Sequence, residues 1–117
     1  MFPSEVEKRL REILPQAKLV PFRSVRFREG APTAHNCHEN VDRWVSENPS
    51  DRAIRGWLVA SNASGAILDK HSVVCSGDGA WFDVTPLNHP TPFVAHPGTE
   101  AEFQSLPNQD FVFPEMP

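Results

Sequence analysis

The sequence predicts a small α+β domain, and three observations carry that expectation. Apolar residues recur at helical spacing behind a capping pattern at the N-terminus, a second capping pattern precedes a short apolar stripe, and β-branched and aromatic runs alternate with glycine turns. The expected architecture is an N-terminal helix, a central cysteine-bearing helix packed on a small antiparallel β-sheet, and a proline-rich C-terminal wrap. A length of 117 residues with 39% hydrophobic content fits one domain over 1–117, its core in 35–86 and an extended segment in 87–117.

Ser4 followed by Glu7 reads as a capping box, and Val6, Leu10, Ile13 and Leu14 form one apolar face. A helix is therefore expected from Ser4 to Leu14, ended by Pro15, with Glu5, Glu7, Lys8, Arg9, Arg11 and Glu12 facing solvent. The segment from Leu19 to Phe27 mixes apolar residues with Arg23 and Arg26; it reads as extended, with a strand at Ser24–Phe27 and a loop at Glu29–Pro32. The second helix starts in His35-Asn36-Cys37-His38-Glu39-Asn40-Val41. Asn36 is the expected N-cap, Glu39 its reciprocal partner, and Val41, Trp44 and Val45 the inward stripe before Asn48-Pro49 stops the run.

Arg55–Ala60 reads as a strand and Ser61–Gly65 as a turn. Ile67–Ser76 and Ala80–Thr85 read as a hairpin around Gly77-Asp78-Gly79. A three-residue loop at 77–79 pairs Ser76 with Ala80 and sets His71 diagonal to Asp83; a loop at 76–78 puts them directly opposite. Either register leaves both side chains on one face, whereas a two-residue turn separates them. Twelve prolines are present, and Pro86, Pro90, Pro92, Pro97, Pro107, Pro114 and Pro117 all follow Val84, so this third is expected to wrap the domain without regular structure. Phe93, Phe103, Leu106, Phe111, Val112 and Phe113 are its expected anchors.

Eleven Lys plus Arg against fifteen Asp plus Glu give a net charge of -4, which argues against a nucleic-acid surface. No apolar run reaches the roughly 18 residues that a spanning helix needs, so no membrane role is expected. Two cysteines do not make a disulfide scaffold, which favours a cytoplasmic setting and leaves a Cys37–Cys75 bridge open.

The chemistry concentrates at the second helix. Cys37 at a first helical position meets unpaired N–H groups and the positive end of the helix dipole, which favour a thiolate. His71 and Asp83, from neighbouring strands, are the residue types that carry its proton and orient the carrier, making Cys37, His71 and Asp83 the candidate catalytic residues. Asn36, His38 and Asn40 are candidate oxyanion or substrate contacts, and Trp57 and Trp81 candidate cleft residues, although both tryptophans also read as core. Each catalytic candidate has a plainer reading too: Cys37 a packed helix residue, His71 a satisfied strand histidine, Asp83 a turn cap. His35, Cys37, His38, His71 and Cys75 hold enough donors for a zinc alternative, against which stands their crowding at one helix start; no cofactor is expected. A non-catalytic binding or inhibitory module is the other alternative. His89 and His96 read as incidental.

The order of a helix-borne Cys37, a strand-borne His71 and Asp83 on the next strand resembles the papain-like and transglutaminase-like cysteine enzymes. Lys70-His71-Ser72-Val73-Val74 with Gly79-Ala80-Trp81-Phe82-Asp83 is similar to the transglutaminase His strand, glycine turn and Trp before Asp. Cys37-His38-Glu39-Asn40-Val41, Gly56-Trp57, His71-Ser72-Val73-Val74 and Asp83-Val84-Thr85-Pro86 also resemble a layout found in a group of small uncharacterised bacterial and phage proteins. The resemblance covers residues 35–86 and departs from the papain-like pattern in lacking a Gln ahead of Cys37. It implies thiol-dependent hydrolysis or acyl transfer on a protein or small-molecule amide or ester, as in a peptidase, amidase or glutamine deamidase.

Overall fold

A computed structural model describes residues 4–62 and 65–112. Helix α1 spans Ser4–Ile13 and tightens into a 3₁₀ turn at Leu14–Gln16, where Pro15 is tolerated because it sits at the start of the turn. Helix α2 follows at Cys37–Glu47, then strands β1 (Arg52–Asn62), β2 (Gly65–Cys75), β3 (Trp81–Phe82) and β4 (Phe93–Ala95), helix α3 (Glu100–Ser105) and strand β5 (Gln109–Val112). The strands form one antiparallel sheet ordered β3-β2-β1-β4, with β5 also pairing β2. The α+β expectation therefore holds. The Ser4–Glu7 capping box and the anchors Phe111, Val112 and Phe113 fall outside the described side chains.

The sheet is built on the long β1–β2 hairpin, in register from Arg52↔Cys75 to Asn62↔Gly65. Because side chains alternate across a strand, β2 sends Ala66, Leu68 and Val74 toward the helices. Ala66 and Leu68 pack with Trp57, Val59, Val94, Phe103 and Leu106 under Val6 and Leu10 of α1. Val74 packs with Phe82 and Val84 against Val41 of α2. His71, Val73 and Cys75 point through the other face, all nearly without exposure.

Three expectations are corrected. The strand at Ser24–Phe27 does not form: the preceding chain makes only two single bridges, Lys18 to Phe93 and Phe22 to Asp83. Pro21 has no N–H to extend a ladder, and contact passes from β4 to the residue after β3 as the segment crosses that face. Arg9, expected in solvent, forms a 2.7 Å ion pair with Glu102 that ties α1 to α3. The C-terminal third is more regular than expected, holding β4, α3 and β5. Its prolines fall between those elements, Pro90 and Pro92 before β4, Pro97 before α3 and Pro107 before β5, so each proline-free window keeps the donors that a strand or helix needs. Phe93, Phe103 and Leu106 are buried as anchors.

The hairpin at 77–79 takes the three-residue register. Val74 pairs with Phe82 and Cys75 with Trp81, the Ser76 N–H donates to the Ala80 carbonyl at 2.8 Å, and Gly79 supplies the positive φ of 90° that such a loop requires.

Candidate active site

Strand β5 pairs β2 only at residues 65–68 and strand β3 only at 74 and 75, so the β2 edge between them is uncovered by any strand. The start of α2 and the Asn108 side chain fill that edge. The Lys70 N–H donates to Asn108 Oδ1 at 2.7 Å, and the Lys70 carbonyl takes a long contact of 3.9 Å from Cys37 Sγ. Chain reversal into α2 is made by His35, which adopts a left-handed φ of 67°. Asn36 stands at the N-cap, but its side chain makes no capping bond; its amide donates instead to Thr33 Oγ1 at 2.7 Å, so the expected Asn36–Glu39 capping box is absent. The first N–H groups of α2 therefore have no side-chain cap.

On β2, one residue past Lys70, His71 Nε2 lies 2.6 Å from Asp83 Oδ2, with both side chains buried. This is the diagonal partnership that the three-residue register requires. The other Asp83 oxygen accepts the Thr85 N–H at 2.9 Å, and the Asp83 backbone is held by Pro21 and Arg23, so the carboxylate is oriented by bonds on several sides. With Nε2 spent on Asp83, Nδ1 is the ring nitrogen left for the thiol. Phe93 walls the imidazole edge-on at 6.1 Å.

Electrostatics couple the two groups. Burial pushes the Cys37 thiol up, but hydrogen bonding and charge from His38 and His71 outweigh it and hold the thiol at about 6. Burial would lower His71, yet the Asp83 bond and then the Cys37 contact raise it to about 9. Between those values the pair exists as thiolate and imidazolium. Cys37 and Cys75 are both free thiols, Cys75 buried and Cys37 half-buried.

The remaining candidates separate. His38, next in the chain to Cys37, helps to lower its thiol, and its Nδ1 lies 2.5 Å from Ser72 Oγ. Asn40 is a buried tie: its amide donates to the Thr33 carbonyl at 2.8 Å and to Thr85 Oγ1 at 3.0 Å, joining the loop before α2 to the end of the Asp83 segment. Trp57 is fully buried under α1 and α3 and lines no open cleft. Trp81 stands half-buried on the His71 face, edge-on to Phe93 and beneath Lys18. His96, read as incidental, is tied into the fold: it accepts the Trp57 indole N–H on Nδ1 at 3.2 Å and bonds Glu102 through Nε2 at 2.8 Å. Among the described residues no cluster of three or more His, Cys, Asp or Glu is placed to hold a metal.

Ser72 and Arg55 were missed in the sequence. Arg55 Nη1 donates to Ser72 Oγ at 2.9 Å, and only the β1–β2 register, which pairs Arg55 with Ser72, reveals it. A cavity of about 390 Å³ lined by Leu19, Phe22, Leu87 and Phe93 borders Asp83 but does not include Cys37, His38 or His71. No helix of the described residues is long and apolar enough to cross a membrane. The chain matches no family model, no curated protein and no solved structure.

Proposed function

We propose that this protein is a cysteine-dependent hydrolase or acyltransferase acting on an amide or ester. Cys37 is the nucleophile, His71 the proton carrier and Asp83 the carboxylate that orients it. The observation that carries this reading is the 2.6 Å His71–Asp83 bond beside a thiol held at about 6. A nucleophile needs the thiolate at neutral pH, and a carboxylate-backed imidazole that lowers the thiol supplies it.

In the reaction, the Cys37 thiolate attacks the carbonyl carbon, forming a C–S bond while the π electrons move to oxygen. Collapse of that tetrahedral species breaks the bond to the leaving nitrogen or oxygen, which takes the proton from the His71 imidazolium. Neutral His71 then removes a proton from water, or from an acceptor amine or alcohol. That oxygen or nitrogen attacks the thioester and the thiolate leaves. Uncapped N–H groups at the start of α2 are suited to the developing oxyanion. The papain-like and transglutaminase-like resemblance supports the same assignment.

Competitive alkylation with iodoacetamide at pH 6.5, followed by mass spectrometry, tests it. Cys37 should react at least about tenfold faster than an ordinary thiol, as expected of one with a depressed pKa, and faster than Cys75. His71→Ala should remove that advantage, and p-nitrophenyl acetate should give a burst of acetylated Cys37. Ordinary reactivity at Cys37 with no acyl-enzyme would make the protein a non-catalytic module.

A further inference from the structure

Two imidazoles, those of His38 and His71, act on the Cys37 thiol, and their partners differ in kind. His71 is backed by the Asp83 carboxylate, whereas His38 is backed by a neutral hydroxyl, Ser72 Oγ, at 2.5 Å. Ser72 is fully buried on β2, so every hydrogen on its oxygen must find a partner inside the protein. Arg55 Nη1 donates to that oxygen at 2.9 Å, and among the described residues its only other partner is His38. A guanidinium cannot accept, so the Ser72 O–H has one place to go, His38 Nδ1. An imidazole that accepts on Nδ1 carries its proton on Nε2.

The guanidinium itself is held firmly. Its Nη2 donates to Asp42 on α2 at 2.6 Å and its Nε to Glu100 on α3 at 2.9 Å, with the side chain only 12% exposed. All three faces of the fork are occupied, which aims Nη1 at Ser72. Around His38, Phe103 packs edge-on at 5.8 Å and the Lys70 ammonium lies over the same phenyl ring at 4.5 Å, so the imidazole is held on this side as well.

We propose that Arg55 and Ser72 lock His38 as the Nε2–H tautomer, making it a fixed hydrogen-bond donor beside the Cys37 sulfur and leaving His71 as the sole proton carrier. Resting on the acyl-chemistry reading, this gives His38 the place that a glutamine amide upstream of the cysteine takes in the papain-like pattern. As charge moves from sulfur to the carbonyl oxygen, a donor already beside the sulfur follows it over a short distance. His38 is then a catalytic residue, and Ser72 and Arg55 are positioning residues.

Nitrogen-15 NMR of the ring nitrogens in the whole protein at pH 7 reads the tautomer directly. A proton on Nε2 with a bare Nδ1 is expected for His38; a proton on Nδ1, or on both nitrogens, overturns the proposal. Ser72→Ala frees the ring to turn a bare nitrogen toward the thiolate. Iodoacetamide alkylation of Cys37 at pH 5 should then slow by about tenfold, the effect of about one pKa unit on a thiol near 6, with Ser72→Thr restoring most of the rate. Unchanged alkylation in a folded Ser72→Ala also overturns it. Both readouts are independent of turnover: a shifted thiol without acyl-enzyme formation sinks the proposed function and spares the tautomer assignment, and the reverse pattern does the opposite.

Discussion

At Cys37 and His71 one proton is contested by two groups whose ordinary preferences are reversed in the fold. An isolated thiol at 9.0 keeps its proton at neutral pH and an isolated imidazole at 6.5 loses its own, yet here the thiol stands at about 6 and the imidazole at about 9. Asp83 supplies most of the second reversal, because the carboxylate 2.6 Å from Nε2 stabilises only the protonated ring. Asp83→Asn keeps an acceptor oxygen of the same shape and removes the charge. The imidazolium is then disfavoured, so the upper limb of the pH–rate profile for ester cleavage should fall from near 9 by about one to three units, the usual effect of one close opposite charge. The lower limb belongs to the thiol and should rise, because a weaker imidazolium stabilises the thiolate less. An upper limb that stays near 9 in Asp83→Asn would mean that the carboxylate is not what charges the ring.

At the scale of elements, the site depends on strands that leave room for one another. Gly56 of β1 is directly opposite His71 of β2, and on its other side it pairs with Ala95 of β4. A Cβ at Gly56 would run into the Val94 carbonyl oxygen and the Phe93 ring, the same ring that walls His71. The Val94 oxygen is backbone and cannot swing aside. Gly56→Ala should therefore cost about 3 kcal/mol in urea unfolding, as for an overpacked core site, and should slow Cys37 alkylation by displacing Phe93 from the imidazole. Undiminished stability would mean that β4 is free to shift outward. Gly56 reads in the sequence as an ordinary strand residue; the close approach becomes visible only with β4, which proline density had hidden. The 77–79 loop is the opposite case. Its two glycines limit the loop to a few registers, and the pairing of Val74 with Phe82 on the core face agrees with one that keeps His71 and Asp83 together, so their partnership was among the readings the local sequence offered. The Arg55–Ser72–His38 chain was not, since it joins β1, β2 and α2 across separations that no local period encodes. His96 was lost for the same reason, because both of its partners lie on other elements.

Across the whole molecule, the paired reversal sets how stability responds to pH. An imidazole raised in the fold adds stability that is complete below 6.5 and disappears as pH climbs through about 9. A thiol depressed in the fold adds stability that is complete above 9.0 and disappears as pH falls through about 6. Over the window from 6.5 to 9 folding therefore releases one proton from sulfur and takes up one on the ring, the counts cancel, and this pair contributes no slope. Cys37→Ala removes only the first half of that exchange. His71 is still raised by Asp83, so folding now takes up a proton, and stability must decline with rising pH above 6.5 until the remaining raised value is passed. One proton sets the steepest slope at about 1.4 kcal/mol per pH unit. His96, held low by burial, is bound neutral and costs stability only as pH falls below 6.5, in both proteins alike, so it drops out of their difference. Urea unfolding of both proteins at pH 6.5 and 8.5 should thus show Cys37→Ala losing more stability than wild type between the two points. Parallel behaviour would mean that the sulfur and the ring do not exchange a proton on folding, and the charged pair on which the proposed chemistry rests would be absent at neutral pH.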